Sequence, residues 1–542
     1  MRTSRGYISP ASVGSGESEG TSMAEIVLIN PRFEPSFWGM EHAMPLFGKK
    51  ANLPVACLPL LAALTPRDHH VTLLDENVEP LDFERLAKAD LVGLTGMIVQ
   101  RFRMREILTE LKRRKIFSVV GGPWVTVKED YFGDLADVIF VGEAEETWLR
   151  FLDEWSRGRH GRRYEQTERT DMTQVPTPRF DLLKMRDYMF GSVQFSRGCP
   201  YQCEFCDIIV TFGRRPRLKT SAQVIAELEA LRAQKIFIAF VVDDNLIGKK
   251  KAIKMLLRDL IAWQQEQGFP MSFFTEASLD LAEDPELLRL MVEANFGAVF
   301  IGIESPNEAS LRETKKLQNL RKGTTLLDRV HAIQAAGLEV WCGMILGFDN
   351  DDPTVFDAQR EFLRDARITH AMIGMLTAIP KTPLYARLAG EGRLDLDDVT
   401  EFGTNVIPLR MSRQALRDGY IKVLEDLYEP EAFFERVDDL YLKHKAPFFA
   451  AMRDYHRRNP WRRASDLIKD MSKTVGLFAR LMRRVPEASL RREYRHRLAR
   501  LLRERPDPRL IFLYTVKCAM HFHHFTMARQ MAGGRSALVN SF

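Results

Sequence analysis

The sequence predicts an α/β protein in three parts: a doubly wound parallel sheet, an open barrel of six β-α units, and a helical C-terminal region. Three observations carry this. Short β-branched runs alternate with amphipathic stretches over residues 24–156, the alternation restarts at residue 192 after a charged, proline-bearing interval, and beyond about residue 405 helical periodicity replaces the strand signal. At 542 residues the chain exceeds one ordinary core, since domains usually run to about 100–200 residues.

Taken in order, residues 1–22 are rich in Ser and Gly and lack the apolar stretch of a signal peptide. They are expected as a disordered tail, with Met23 an alternative start. Residues 23–156 carry the runs EIVLIN (25–30), VTLLD (71–75), DLVGLT (90–95), FSVVGG (117–122) and VIFVGE (138–143), the strands of the first sheet. Ligands of that architecture sit beyond the C-terminal strand ends. The small and polar residues fall there: Thr95, Gly96 and Met97; Gly121, Gly122 and Pro123; Gly142 and Glu143. Residues 157–190 lose periodicity and read as a linker. Residues 191–400 hold six further strand signals, near 192–197, 236–243, 271–277, 298–303, 338–347 and 369–376, with helical patterns between them. Residues 401–542 form the helical extension.

Composition narrows the function classes. A hydrophobic content of 45% and a charged content of 28% belong to a globular chain with real cores. No run of about 18 apolar residues offers a transmembrane helix. The net charge of +5 conceals an asymmetry: residues 451–510 hold 18 Lys and Arg against 7 Asp and Glu, so the remainder is net acidic. Six cysteines, at 57, 199, 203, 206, 342 and 518, are too few and too unevenly spaced for a disulfide scaffold. A reducing, cytoplasmic setting and a metal site fit them better.

Three of those cysteines fall in Gly198-Cys199-Pro200-Tyr201-Gln202-Cys203-Glu204-Phe205-Cys206, directly after a strand signal. Three thiolates in this spacing suit three irons of a cubane cluster with the fourth iron left open. The alternatives are three incidental thiols or structural zinc, which normally takes four ligands.

With Phe205 before the third cysteine, this segment resembles the signature of the radical S-adenosylmethionine (SAM) superfamily, and the resemblance spans residues 192–390. It implies a four-iron four-sulfur (4Fe-4S) cluster on Cys199, Cys203 and Cys206, SAM on the open iron, and a 5′-deoxyadenosyl radical. Asp243, Asp244 and Asn245 stand where that family has the segment meeting the SAM amino group. Glu276 and Ser278 end the third strand and Glu304 the fourth, positions implied for carboxylate-side or ribose contacts. Capping of strand–helix junctions is the plainer account of such residues.

A doubly wound, flavodoxin-like domain ahead of such a barrel resembles the cobalamin-binding branch of the superfamily. The matching letters are Pro54, Leu58, Leu61 and Ala62, then Leu94 to Met97, Gly121 to Pro123, and Gly142, Glu143 and Glu145. Glycines at strand ends let a large planar ligand approach the backbone. The segment that supplies a lower histidine ligand in other corrinoid proteins is missing, since Asp68-His69-His70 is adjacent rather than spaced and reads as a solvated turn.

Together with the helical extension, these features resemble the group that includes the hopanoid methylases. The implied reaction is radical methylation of an unactivated carbon in a hydrophobic or lipid-like substrate. Ring closure or rearrangement without methylation is the rival, and a cobalamin or redox sensor the rival of another class. The implied partners are a small-molecule or lipid substrate and a reducing donor of flavodoxin or ferredoxin type.

The 465–485 stretch places Leu467, Ile468, Met471, Val475, Phe478, Leu481, Met482 and Val485 at helical spacing, with Arg480, Arg483 and Arg484 near its end. An ordinary solvated face is the plain reading of the 451–510 charge. Peripheral contact with the inner face of a membrane is the functional one, and nucleic acid is disfavoured because aromatic interleaving is missing. His521, His523 and His524 read as packing or surface contacts, and Cys57, Cys342 and Cys518 as buried inert thiols.

Overall fold

The protein is described as a computed structural model covering residues 23–321 and 323–534; the expected tail of residues 1–22 lies outside the described residues. Two six-stranded parallel sheets dominate it. The first contains β1 (Glu25–Asn30), β2 (His70–Asp75), β3 (Leu91–Thr95), β4 (Ser118–Gly121), β5 (Val138–Val141) and β6 (Arg163–Glu165), in the order β2-β1-β3-β4-β5-β6. Chain direction across the sheet reverses between β1 and β3, the switch point at which such sheets open a crevice. Both faces are covered, which is why β1 is apolar along its length. Ile26 and Leu28 pack with Val119, Phe140 and Trp148, whereas Val27 and Ile29 pack with Met104, Ile107 and Val120. β6 corrects the expectation for 157–190: part of that stretch pairs with β5 instead of crossing as linker.

The second sheet contains β7 (Gly191–Val193), β10 (Ile238–Val241), β11 (Ser272–Ala277), β12 (Phe296–Glu304), β13 (Glu339–Leu346) and β14 (Ala371–Met375), laid down in chain order and all parallel. Between its first two strands, β8 (Ser196–Arg197) and β9 (Arg217–Leu218) form a small antiparallel pair that brackets the cysteine segment. Phe240, Phe274 and Ala298 form a small core of their own, joined by Trp38, Phe190 and Trp341. Phe240 and Phe274 stack at 4.7 Å, and Trp38 meets Phe300 edge-on at 5.9 Å.

Beyond residue 400 six α-helices follow among the described residues: Arg413–Tyr428, Pro430–Asp438, Ala450–Arg458, Pro460–Arg484, Ala488–Glu504 and Pro508–Ala532. The last runs against the barrel. Its Lys517 forms a buried ion pair with Glu339 at the start of β13, and Tyr441 donates to the same carboxylate at 2.7 Å. His521 accepts or donates at both ring nitrogens, to the Tyr494 hydroxyl and the Tyr428 carbonyl. His521, His523 and His524 are all buried, so these rings pack in the core and make no surface contact. Breaking a buried pair strands the surviving charge. Lys517→Met should therefore lower stability by about 3 kcal/mol in urea denaturation, and Glu339→Gln in the same chain should recover part of it.

Candidate active site

The cysteine segment is held at its entrance by two aspartates from the next strand. Asp243 accepts from the Phe195 and Ser196 amides, both at 2.8 Å, and from the Ser196 hydroxyl at 2.5 Å. Asp244 accepts from the Gly198 amide at 2.7 Å. Gly198 has φ +97°, and a Cβ there would lie 2.8 Å from the Gly213 carbonyl, so only glycine makes this turn without strain. Asp243, expected as a ligand contact, thus faces the protein with both oxygens engaged, and it positions the loop.

The thiols lie just beyond. The Asn245 amide donates to Cys199 Sγ at 3.8 Å and to the Ser278 hydroxyl at 3.1 Å, while its oxygen accepts from the Ser278 amide. Gln318 donates to Cys203 Sγ at 3.5 Å, and its own oxygen is buried without a partner. Phe205 packs near Phe348 at 6.2 Å, with the Lys316 ammonium 5.9 Å from its ring. Glu304, at φ +66°, is paired with Lys316 at 2.6 Å. Asn245 and Ser278 bind each other, and Glu304 is neutralised, so these three expected contacts have protein partners already. Glu276 has none among the described hydrogen bonds and ion pairs, and it is half-buried. Burial, then the nearby Asp244, Asp243 and Glu304 carboxylates, push it up to about 8; burial pushes Asp243 to about 6 and Asp244 to about 7. Four carboxyl groups with one lysine make this strand-end cluster suited to a cationic ligand.

A cavity of about 280 Å³ opens on the other side of the cysteine segment, shared between the two sheets. Its first wall carries Gly93, Thr95, Gly121, Gly122, Pro123 and Gly142, and its second carries Val193, Gln194, Arg197 and Phe212. At Gly122 (φ +98°) a Cβ would fall 2.4 Å from Thr95 Oγ1, and at Gly121 it would sit 3.1 Å from Phe140. A side chain at either tip would collide with these neighbours, so glycine is what lets the strand ends pack this closely and form a smooth cradle wall. Gly96 and Met97 do not line it. A Cβ on Gly96 points at Met104, and Met97 is half-exposed at the surface.

Glu143 lines the cavity but its carboxylate is committed elsewhere. It pairs with Arg197 at 2.9 Å and Arg217 at 2.9 Å and accepts from the Thr170 amide at 3.0 Å, while Glu145 pairs with Arg197 at 2.6 Å. Arg197 stands two residues before Cys199, so this buried network ties the glycine-rich wall to the thiol segment. The expected ligand contact is instead a clamp between the two halves of the site.

Sequence reasoning missed Arg197, Arg217, Lys316 and Gln318, and it misplaced Cys57. That thiol is open to the cavity, 3.9 Å from Thr95 Oγ1, rather than buried in a core. Asp68-His69-His70 is not a solvated turn throughout: His69 is buried and accepts from the Ala24 amide, and His70 opens β2 beside Glu25.

Known proteins match this arrangement part by part. The model described as B12 binding domain matches residues 53–152, that of the Radical SAM superfamily residues 193–358, and a domain of unknown function (DUF4070) residues 382–537. An uncharacterized methyltransferase of Synechocystis sp. is 40% identical over 433 residues, 78% of this chain and 79% of its own length. The hopanoid C-2 methylase of Rhodopseudomonas palustris is 35% identical over 429 residues, 77% of this chain and 80% of its own. This chain belongs to the B12-binding radical SAM methylase family.

Solved structures of like fold include TsrM of Kitasatospora setae, a radical SAM methyltransferase with cobalamin and a 4Fe-4S cluster bound. It superposes with a TM-score of 0.55 at 18% identity, over 68% of this chain and 75% of that one. OxsB, a cobalamin-dependent radical SAM enzyme with aqua-cobalamin and SAM bound, gives 0.59 at 15% identity, over 95% and 81%. The cofactors of this family member are a 4Fe-4S cluster, SAM and cobalamin. Its residues fit them: three thiols with amide donors on two sulfurs, an unpaired carboxyl beside them, and a glycine cradle across the loop.

Proposed function

We propose that this methylase adds a methyl group to an unactivated carbon of a hydrophobic substrate held between the thiol loop and the glycine cradle. The observation that carries this reading is the shared cavity, whose two walls come from the B12-binding and radical SAM domains and are locked by the Glu143/Glu145–Arg197 network. When bound, the cluster and SAM supply a hydrogen-abstracting radical, and cobalamin supplies a transferable methyl group.

The chain's own residues hold and orient these groups. Cys199, Cys203 and Cys206 are the cluster ligands in this reading, and Asn245 and Gln318 donate to two of their sulfurs, which stabilises the reduced state. Glu276 accepts from the SAM ammonium or ribose. Gly121, Gly122, Gly142, Thr95 and Pro123 would receive cobalamin.

Exposed apolar side chains also occur where the loop after the barrel meets the first domain. Asp398 pairs with Arg101 at 3.0 Å and accepts from Tyr131 at 2.8 Å, seating the 395–402 loop on the helix Arg101–Arg113. Leu396 and Val399 of that loop are exposed at 75% and 73%, and Phe102 of the helix and Met97 before it are exposed as well. The relative named as a hopanoid C-2 methylase supports a hydrophobic substrate. Anaerobic reconstitution should give one deoxyadenosine and one S-adenosylhomocysteine per methylated product by mass spectrometry. Deoxyadenosine without S-adenosylhomocysteine would point to rearrangement or cyclisation instead.

The reading also needs a low-potential donor of flavodoxin or ferredoxin type in a reducing, cytoplasmic setting. Beside the thiol loop, Pro200, Tyr201 and Gln202 line a pocket with Arg214, Lys315 and Arg321; Lys315 pairs with Glu204 and Arg321 with Glu283, so the exposed Arg214 is the cation that would meet an acidic donor. Arg214→Glu should slow deoxyadenosine formation at least tenfold with reduced flavodoxin and leave it unchanged with dithionite. Equal slowing with both reductants would remove the donor site from this face.

A further inference from the structure

We infer that the outer face of the helix Pro460–Arg484 docks the protein on an anionic lipid surface. The sequence pattern suggests one apolar face turned inward, but the structure divides it. Thr474, Leu477 and Leu481 are buried against the neighbouring helices, whereas Trp461 is 89% exposed, Ile468 71%, Val475 63% and Met471 40%. At about 100° per residue these four lie within roughly 80° of one another on the helix surface. A stripe of large apolar side chains with nothing over it is uncommon on a soluble surface, and an exposed tryptophan at its end suits the polar–apolar boundary of a bilayer.

The flank says what covers it. Arg462, Lys469, Lys473 and Arg483, all exposed, run along one side of the stripe. Asp466 approaches Arg462 only to 3.6 Å and Lys469 to 3.8 Å, leaving the cations available. Apolar residues bordered by lysine and arginine are the arrangement of helices that lie in the headgroup region of anionic membranes. A second copy of the chain fits less well. A two-fold contact would set this basic flank against itself, and a stripe about 21 Å long and one helix wide is far below the roughly 800 Å² per partner of a stable dimer. Among the described residues no helix is long and apolar enough to cross a membrane, so contact would be peripheral. Two nearby arginines are engaged within the protein: Arg484 donates to the Pro45 carbonyl and Arg491 to those of Val485 and Pro486.

Docking does not depend on which substrate is methylated, and its test does not use activity. Full-length protein should sediment with phosphatidylcholine vesicles containing phosphatidylglycerol at low salt, and its tryptophan emission should be quenched by brominated lipid. Trp461→Ser, Ile468→Ser and Val475→Ser together should lower partitioning at least tenfold and remove most of the quenching. Lys469→Glu with Lys473→Glu should abolish the preference for anionic over neutral vesicles. All five positions are exposed, so thermal melting should match wild type. The inference is overturned if wild type stays in the supernatant with anionic vesicles at low salt, or if the triple variant binds as wild type does. It also fails if sedimentation equilibrium shows a dimer that the triple variant dissolves.

Discussion

Replacing any one of Cys199, Cys203 and Cys206 by Ala will reduce deoxyadenosine formation by at least a thousandfold. A cubane held by two protein thiolates is easily lost, and no other cysteine is near: Cys342 lies inside β13, Cys518 in the helix Pro508–Ala532, and Cys57 on the far wall of the cavity. Iron content after reconstitution should fall with activity, while thermal melting of the protein without cofactors should move little, because the loop is fastened by Asp243 and Asp244 rather than by the thiols. A triple Cys→Ala protein that still produced deoxyadenosine would remove the cluster from these residues.

Truncating Arg197 to Ala will cost about 4–5 kcal/mol, because Glu143 and Glu145 then remain buried with one cation fewer. Urea denaturation of the protein without cofactors measures it, and a loss below about 1 kcal/mol would mean that water or Arg217 replaces the missing charge. The pH dependence has a definite sign. Burial tends to raise Glu143, but Arg217 and Arg197 outweigh it and hold the carboxyl below its ordinary 4.5. A group depressed in the folded state lends stability above its unfolded pKa and loses it as pH falls through the folded value. The clamp is therefore complete at neutral pH and loosens below about pH 4, and Arg197→Ala should flatten that acid limb.

Much of the architecture was legible because it is local in sequence. The strands announce themselves as short apolar runs, the thiol spacing spans eight residues, and the glycines at 121, 122 and 142 sit at the ends of β4 and β5. What the sequence withheld is the choice of partner. Asp243, Glu143 and Glu304 look alike as carboxylates at strand ends, yet each has a different cation or amide supplied from another segment, and only the fold decides which stays unpaired. Glu276 differs from them in nothing visible before folding. Lys316 and Gln318 reach the thiols from a segment more than 100 residues later, with no motif of their own. Gly96 belonged to the right strand end but faces Met104, since pattern gives the tip and not the direction of each Cα. Helical periodicity likewise revealed the apolar residues of Pro460–Arg484 but not that half of them lack a cover.

The fastening of the thiol loop has a further consequence, for survival in air. Because the Asp243 and Asp244 carboxylates grip backbone amides of Phe195, Ser196 and Gly198, the entrance to the loop is held by protein groups and should not depend on iron. Oxygen that strips the cluster should leave an intact mould rather than an unravelled strand. Repair then requires only iron, sulfide and electrons delivered to a standing template, so damage at this centre can be reversed within the same molecule instead of condemning it to proteolysis.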